Sequence, residues 1–389
     1  MHNPILQFGT SRFLQAHADL FISEALTRGD ALGHITIVQS TDSAQSARRV
    51  AAFNQPGGFP VHIRGWEGQA AVAREHQVTS VTQALQARGD WAHIRAAVAS
   101  DVQVILSNTG DAGYVLSAAD HAGLLDGAVA PRSFPAKLLV LLHGRYQHGA
   151  AALSIFPCEL VTDNGTVLRD LVLQLARDWA LDAAFLAWLR ADCIWVNSLV
   201  DRIVSEPLEP VGAVAEPYAL WAVEAQAGMV LPCVHPQLIV TSRLEPFERR
   251  KLFLLNLGHS FLAEQWLAAG GPADCTVLQA MSDETMRRSL EAVWIEEVLP
   301  VFAALGEALS SAAYLQQVRD RFSNPYLAHR LADIAQNHAQ KKQRRFAPVL
   351  TLARQLGLNL PQHRLQAALD GATACAPPLM NTHGCYRLK

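Results

Sequence analysis

The chain has 389 residues, of which 50% are hydrophobic and 17% charged, and its formal net charge is -3. This balance argues against a nucleic-acid surface or an acidic tail, and it suits a small neutral or anionic ligand. Six scattered cysteines show no pair at zinc-like spacing, so we predict neither a disulfide framework nor a zinc site and favour a reducing cytoplasm. No run reaches the roughly 18 apolar residues of a membrane span, and no secretion signal is recognisable, so neither location is expected.

The first motif is an apolar run over residues 4–8, followed by a glycine turn and a helical pattern from Phe13 to Leu26. Strand, glycine turn and helix, in this order, present backbone N–H groups and a helix N-terminus to a pyrophosphate. The match to the dinucleotide fingerprint is incomplete, because a serine stands at the second glycine position and the third is not glycine. The candidate cofactor residues of this turn are Gly9, Thr10, Ser11, Arg12 and Phe13.

The second predicted strand, Ile35–Gln39, would meet the adenosine ribose of a dinucleotide at its carboxyl end. No acid stands directly there; Asp42 follows, and then Arg48 and Arg49. An acid at this place favours NAD through the ribose 2′-hydroxyl, whereas an arginine can accept the 2′-phosphate of NADP. The sequence favours NAD, with Asp42 as the candidate ribose contact, and leaves NADP open.

Small polar residues end further predicted strands, at the edge where open α/β sheets bind ligands. Residues 102–106 form such a strand, 152–156 form another, and the segment after it caps a helix predicted over Thr166–Trp179. These places add the cofactor candidates Ser107, Asn108, Thr109 and Asn164. A strand over Cys193–Val196 ends at Asn197, whose amide can donate a hydrogen bond to a substrate carbonyl. Turns and caps use the same residue types, which is the alternative interpretation.

The character of the sequence changes near Arg243. Strand and helix patterns alternate before this residue, and the patterns after it are helical almost throughout. The chain is also too long for one ordinary core. We therefore predict an α/β fold with a Rossmann-type NAD-binding domain over residues 1–243, followed by a mostly α-helical substrate-binding and catalytic domain over residues 244–389.

Four polar residues, Glu248, Lys251, Asn256 and His259, interrupt an otherwise apolar helix predicted over Arg243–Ala263. At about 100° per residue, Glu248 and His259 lie roughly 60° and 80° from Lys251, and Asn256 lies roughly 140° from it. Leucines share this side, so the lysine can occupy a semi-enclosed cleft with a pKa lowered by desolvation, as a general base requires. An ordinary surface pair of Glu248 and Lys251 is the alternative.

A second polar series begins after residue 321, in a helix predicted to run to Arg345. His329, Asp333, Asn337 and Lys341 recur every four residues and would form one stripe along it. Such a stripe is typical of a solvated face; alternatively, its cationic residues bind a sugar hydroxyl or carboxylate. The candidate substrate contacts here are Asn324, His329, Lys341 and Arg345.

The strand-end Asn197, with Lys251, then Asn256 five residues on and His259 three further, resembles the polyol-specific long-chain dehydrogenase/reductase (mannitol dehydrogenase) family. The resemblance covers nearly the whole chain. Its most specific segments are ILQFGTSRFLQAH, SNTGDAGY, SFPAKL, FPCELVTDNG, VNSLVDRIV, ERRKLFLLNLGH and RFSNPYLAHRLADIAQN. The PCEL, SFPAKL and NSLVDRIV phrases are similar to the tagaturonate reductase (altronate dehydrogenase) branch, although this chain is shorter than is usual there.

The resemblance implies metal-free hydride transfer between NAD(H) and a sugar acid or polyol, with tagaturonate and altronate as the expected pair. Lys251 would be the general base, Asn197 and Asn256 the oxyanion donors, and Glu248 a proton relay. His259 would hold a substrate hydroxyl and keep Lys251 partly neutral through cationic or dipolar proximity. The alternatives are fructuronate reductase, a mannitol-, altritol- or arabinitol-type dehydrogenase, and a catalytically silent dinucleotide-binding regulator. We expect a cytoplasmic monomer or small homo-oligomer without nucleic-acid or membrane partners.

Overall fold

A computed structural model of the chain describes residues 3–41, 44–68, 70–110 and 113–371. The chain divides into two compact units. The first comprises the residues up to Ile63, Ala73–Ala215 and Ala219–Leu244. The second comprises Arg64–Val72, Glu216–Tyr218 and the chain from Glu245 onward.

The strands lie before residue 242 in the described part of the chain. They are β1 (Ile5–Phe8), β2 (Ile35–Gln39), β3 (Phe59–Glu67), β4 (Ala70–Val78), β5 (Val81–Gln86), β6 (Val104–Ser107), β7 (Leu153–Pro157), β8 (Cys193–Trp195), β9 (Ser198–Asp201), β10 (Val204–Pro207), β11 (Ala213–Ala215), β12 (Leu220–Glu224) and β13 (Leu238–Thr241). The helices between them are α1 (Arg12–Gln15), α2 (Ala18–Arg28), α3 (Ala44–Phe53), α4 (Trp91–Ser100), α5 (Phe134–Gln147), α6 (Asn164–Asp178) and α7 (Ala183–Ala191), with a 3₁₀ turn over Ala122–Leu124.

Within the described ranges, six strands of the first unit form a parallel sheet in the order β5-β2-β1-β6-β7-β8. The side chains of β1 and β6 are buried throughout, as expected when helices cover both faces of a parallel sheet. The order reverses between β1 and β6, and open α/β sheets bind their ligands at the carboxyl ends of strands at such a reversal. Smaller sheets among the described strands have the orders β10-β11-β3-β4 and β13-β12-β9.

The helix predicted from Phe13 to Leu26 is two helices. Helix α1 ends at Gln15 and α2 begins at Ala18, because His17 leaves the helical region with φ -128° and ψ -97°. The ring of His17 is buried, and its Nε2 pairs with the carbonyl of Leu220 at 2.9 Å.

The described part of the second unit is helical after Leu244. Its α-helices are α8 (Glu245–Arg250), α9 (Leu257–Ala268), α10 (Val277–Ser282), α11 (Glu284–Ala292), α12 (Leu299–Ala304), α13 (Ala308–Phe322), α14 (Leu331–Ile334), α15 (His338–Arg345), α16 (Ala347–Gln355) and α17 (His363–Asp370). Two π-helical segments, Lys251–Asn256 and Val293–Val298, lie within longer helical runs. Trp294, Phe302, Phe322 and Phe346 are fully or almost fully buried in the core of this unit.

The helix predicted over residues 321–345 is wrong as a continuous element. Helix α14 ends at Ile334 and α15 begins at His338. Between them Asn337 has φ 54° and ψ 37°, the left-handed region that an α-helix interior excludes. The expected stripe at every fourth residue therefore does not exist as one helical face.

Candidate active site

The glycine turn after β1 lies against the loop that follows β6. Gly9 has φ 111°, and a Cβ built on it would lie 2.4 Å from the backbone oxygen of Asn108. Any other residue would therefore force the two loops apart. The backbone N–H of Gly9 also donates to the carbonyl of Val38 at 3.2 Å, which joins the turn to the end of β2.

The other predicted residues of this turn have defined partners within the first unit. The Oγ1 of Thr10 donates to the side-chain oxygen of Gln39 at 2.6 Å, and Ser11 caps α1 by accepting from the N–H of Leu14. The guanidinium of Arg12 forms an ion pair with Glu209 at 2.8 Å. The ring of Phe13 stacks on that of His17, with centroids 4.7 Å apart. Asp42 lies outside the described residues.

Glu159, which the sequence reasoning did not single out, organises the loop after β6. Its carboxylate accepts hydrogen bonds from the hydroxyls of Ser107, Thr109 and Tyr114 at 3.0, 2.9 and 3.3 Å, and from the backbone N–H of Thr109 at 3.0 Å. Asn108 donates to the carbonyl of Cys158 at 2.7 Å. Burial, together with this carboxylate, raises the pKa of Tyr114, which therefore stays a phenol. Two of the predicted cofactor residues, Ser107 and Thr109, are thus held by one buried acid.

Asn164 and Asn197 join β7, α6 and β9 from inside the first unit. The amide of Asn164 is 1% exposed; it donates to three backbone carbonyls and accepts from the N–H of Ser198. The amide of Asn197 donates to a carboxylate oxygen of Glu224 at 2.8 Å and accepts from the N–H of Thr166 at 3.0 Å. The orientation of the Asn197 amide is therefore fixed by its neighbours, and Glu224 is a further residue that the sequence did not reveal.

Lys251 and Asn256 are the first and last residues of the first π-helical segment. The predicted angle of roughly 140° between them assumed an α-helix and is wrong for this turn. In a π-helix the hydrogen bond joins residues five apart, so two residues at this spacing lie much closer to the same side. Glu248 lies in α8, on the turn before, and is partly exposed.

The wide turn is supported by Trp294 from the neighbouring π-helical segment. Its indole N–H donates to the backbone oxygen of Leu254 at 3.0 Å, and both residues are buried. A Cβ at Gly258 would lie 2.6 Å from the ring of Trp294, so the glycine allows this close approach. A π-turn disturbs the regular carbonyl pairing of a helix, and the indole satisfies one of the carbonyls concerned.

His259 and three predicted substrate residues cluster beside this turn within the second unit. The ring of His259 stacks on Phe322 and meets the ring of His329 edge-on, with centroids 4.8 Å apart. Arg345 donates to the carbonyl of Asn256 at 3.1 Å and to Ser260. The Nζ of Lys341 donates to a backbone oxygen at 2.7 Å. Neither Lys341 nor Arg345 has a carboxylate partner among the described residues.

Burial makes the two histidines of this cluster neutral. It lowers the pKa of His259 well below its ordinary value, and His329 with the surrounding cations lowers that pKa further. Burial also lowers the pKa of His329 and, with Arg345 adding to the effect, the pKa of Lys341. Of the cationic and dipolar influences on Lys251 expected of His259, an uncharged imidazole fits the dipolar one, and this role stays a prediction.

The side chain of Asn324, predicted to contact the substrate, forms its hydrogen bonds within the second unit. Its side chain is 1% exposed, donates to the carbonyl of Arg64 at 3.1 Å and accepts from the N–H of Tyr326. Close by in sequence, Arg321 forms a buried ion pair with Glu216 at 2.8 Å. Both residues thus join the chain segments from which this unit is assembled.

No group of three or more histidine, cysteine, aspartate or glutamate side chains in the described ranges could hold a metal ion. The described cysteines, Cys158, Cys193, Cys233 and Cys275, are buried free thiols. Among the described helices, none combines the length and the apolar character needed to cross a bilayer.

The sequence matches two family models that together cover most of the chain. They are the mannitol dehydrogenase Rossmann domain, over residues 3–230, and the mannitol dehydrogenase C-terminal domain, over residues 243–370. The chain is 33% identical to an altronate oxidoreductase of Klebsiella pneumoniae (strain 342), across 95% of this chain and 79% of that protein. It is 31% identical to an altronate oxidoreductase of Halalkalibacterium halodurans, across 88% of this chain and 69% of that protein.

Two solved structures share the fold. A substrate-free D-sorbitol dehydrogenase superposes with a TM-score of 0.81 at 19% identity, covering 96% of this chain and 80% of that one. Mannitol 2-dehydrogenase of Pseudomonas fluorescens, solved as a ternary complex with NAD and D-mannitol, gives a TM-score of 0.72 at 19% identity, covering 96% and 78%. The predicted fold class, a Rossmann-type parallel sheet followed by helices, is confirmed.

Proposed function

The chain is an NAD-dependent oxidoreductase of the mannitol dehydrogenase family, and we propose that its substrates are the sugar acids altronate and tagaturonate. The names of its relatives support this choice, since those at 30 to 33% identity are called altronate oxidoreductases. Family membership alone leaves the substrate open between a sugar acid and an uncharged polyol. The charges of the second unit bear on that difference.

The observation that carries the proposal is the pair of cations beside the π-turn. Lys341 and Arg345 lie near the neutral rings of His259 and His329, and neither cation has a carboxylate partner among the described residues. The nearby Asp333 is itself paired with Arg330 at 2.9 Å, so it offsets little of this charge. A partly buried pair of cations favours a carboxylate over a hydroxyl, because charge-assisted hydrogen bonds are about twice as strong as neutral ones.

The first unit has residues that fit a dinucleotide. The turn at Gly9 meets the loop at Asn108 where the strand order reverses, and Ser40, after β2, carries a buried hydroxyl oxygen without a partner among the described residues. Such an oxygen fits a ribose hydroxyl or a phosphate. We propose that these residues hold the cofactor, with Arg12 and Asn164 supporting the loops around it through their bonds within the unit. When bound, the nicotinamide supplies or accepts the hydride.

The side chains act on the proton and on the developing charge. We propose that the amine of Lys251 takes the proton from the substrate alcohol in oxidation and returns it in reduction. The amide of Asn256 donates to the oxygen that gains negative charge. The role of a second donor, expected of Asn197 from the sequence, does not fit its contacts, because its amide N–H groups already donate to Thr166 and Glu224. Glu248 exchanges the proton with solvent, and the neutral ring of His259 bonds a substrate hydroxyl.

A panel of substrates tests the proposal. With tagaturonate and fructuronate, the assay follows the fall in absorbance as NADH is oxidised. With altronate, mannonate, mannitol, altritol and arabinitol, it follows the rise in absorbance as NAD is reduced. We expect the altronate and tagaturonate pair to give the highest kcat/KM. A higher kcat/KM for an alditol would show that the substrate is a polyol and not a sugar acid. NADH binding without turnover of any substrate would favour a catalytically silent regulator. A cytoplasmic location and a monomer or small homo-oligomer stay predictions from the sequence.

A further inference from the structure

The segment that follows β2 and enters α3 contains two polar side-chain atoms that nothing in the described fold satisfies. The Oγ of Ser40 and the Nε of Arg49 are buried, and neither has a hydrogen-bond partner among the described residues. Burying a hydroxyl or a cation without a partner costs free energy, and each such atom in a folded protein requires an explanation. A ligand that supplies acceptor oxygens would satisfy both.

The position of Arg49 in its helix directs the side chain toward this strand end. Arg49 lies in the middle of α3, and side chains of a helix lean toward its N-terminus, which here is the end that follows β2. Burial and, to a lesser extent, the charge of Arg49 lower the pKa of Arg12, so the two guanidinium groups lie within electrostatic range of each other. Arg12 is neutralised by Glu209 at 2.8 Å. Arg49 has no ion-pair partner in the described ranges.

The described residues at the end of β2 and directly after it carry no charge, and the acid that comes next, Asp42, lies outside the described residues. The Oγ1 of Thr10 donates to Gln39 at 2.6 Å, and the amide of Gln39 donates to Thr41 at 2.6 Å. Between them stands Ser40, with its unpaired hydroxyl. A dinucleotide fold that selects NAD usually places an acid near this point, where it bonds the ribose 2′-hydroxyl, whereas an arginine accommodates a 2′-phosphate.

We propose that Arg49, together with Ser40, binds the 2′-phosphate of NADP(H), so that the enzyme accepts NADP(H) in addition to NAD(H). The inference rests on the proposed function, because it concerns the ribose end of the same cofactor. Arg49 meets a phosphate oxygen with its unpaired guanidinium edge, and Ser40 donates its hydroxyl to another. Arg48, one residue earlier, is exposed and takes no part.

Two nucleotides that differ only in the 2′-phosphate test this site directly. Isothermal titration measures the binding of adenosine 2′,5′-bisphosphate and of 5′-AMP to the wild-type chain, to Arg49→Gln and to the matched control Arg48→Gln. We expect the wild type to bind the bisphosphate more tightly than 5′-AMP. Arg49→Gln should weaken the bisphosphate by about 10-fold to 100-fold, since a charge-assisted bond is lost, and change 5′-AMP by less than about twofold. Arg48→Gln should change neither.

Two outcomes overturn the inference. The first is a wild type that binds 5′-AMP as tightly as the bisphosphate, and the second is an Arg49→Gln variant that weakens both nucleotides equally. Circular dichroism of each variant separates loss of the site from loss of the fold. If NADH supports turnover of a sugar acid while the affinity for the bisphosphate is the same in Arg49→Gln as in the wild type, the inference fails and the proposed function stands. If the bisphosphate depends on Arg49 but no sugar acid is turned over, the proposed function fails and the phosphate site stands.

Discussion

The π-turn that carries Lys251 and Asn256 should depend on one hydrogen bond from Trp294. Trp294→Phe keeps an aromatic ring but removes the indole N–H that donates to the carbonyl of Leu254 at 3.0 Å. Both residues are fully buried, and the carbonyl then keeps only the backbone N–H of Leu257 as a donor, so loss of the indole bond costs about 1 to 3 kcal/mol. Rewinding the segment as an α-helix would recover that cost. It would also return Lys251 and Asn256 to roughly 140° apart.

We therefore expect Trp294→Phe to lower the free energy of unfolding by about 1 to 3 kcal/mol, and kcat by about tenfold or more, while the Kd of NADH stays unchanged. Urea titration followed by fluorescence gives the first quantity, and steady-state kinetics gives the second. The control is Trp266→Phe, which removes an exposed indole bond to Pro272 from the neighbouring helix α9 and should change both by little. A Trp294→Phe enzyme that is less stable but retains full kcat would refute the link between the turn and catalysis.

Three further substitutions test other parts of the account. Lys251→Met should lower kcat by several powers of ten and leave the Kd of NADH intact; near-normal turnover would remove this amine from the mechanism. Arg321→Met leaves the buried carboxylate of Glu216 without its partner and should cost about 3 to 5 kcal/mol of unfolding free energy, with a smaller loss in the double variant with Glu216→Leu. Burial raises the pKa of Asp19 from 3.8 to about 8, so the stability that its protonated form contributes is complete below pH 3.8 and is lost as the pH rises through 8. Asp19→Asn should remove a slope of about 1.4 kcal/mol per pH unit between these values, measured by urea titration at several pH values, and parallel curves for the variant and the wild type would contradict this.

The parts of the fold that follow from local patterns were predictable. The buried apolar runs of β1, β2 and β6 and the glycine turn at Gly9 place the first unit among dinucleotide folds, since a parallel sheet needs such strands and such a turn. What the sequence could not reveal is which side chains meet across the sheet. Glu159 holds three residues of the loop after β6, and its one visible signal was an acid just after a strand end.

The candidate site was predictable in its residue types and less so in its geometry. The five-residue spacing of Lys251 and Asn256 is visible in the sequence, but the π-turn that aligns them depends on Trp294 and Gly258. Trp294 is distant in sequence from the turn, and Gly258 has no side chain that would signal a contact. The break at Asn337 likewise requires a left-handed residue in a segment whose spacing suits a helix. The neutrality of His259 follows from burial, which periodicity alone does not measure.

The central claim, that this oxidoreductase acts on a sugar acid, is tested most directly by one ratio. It compares kcat/KM for tagaturonate with kcat/KM for the ketose in which a hydroxymethyl group replaces the carboxylate. We expect a ratio of about 100 or more in the wild type, and at least a tenfold smaller ratio in Arg345→Met, because a charge-assisted bond to the carboxylate is lost. Equal kcat/KM for the two substrates, or a ratio that Arg345→Met leaves unchanged, would contradict it.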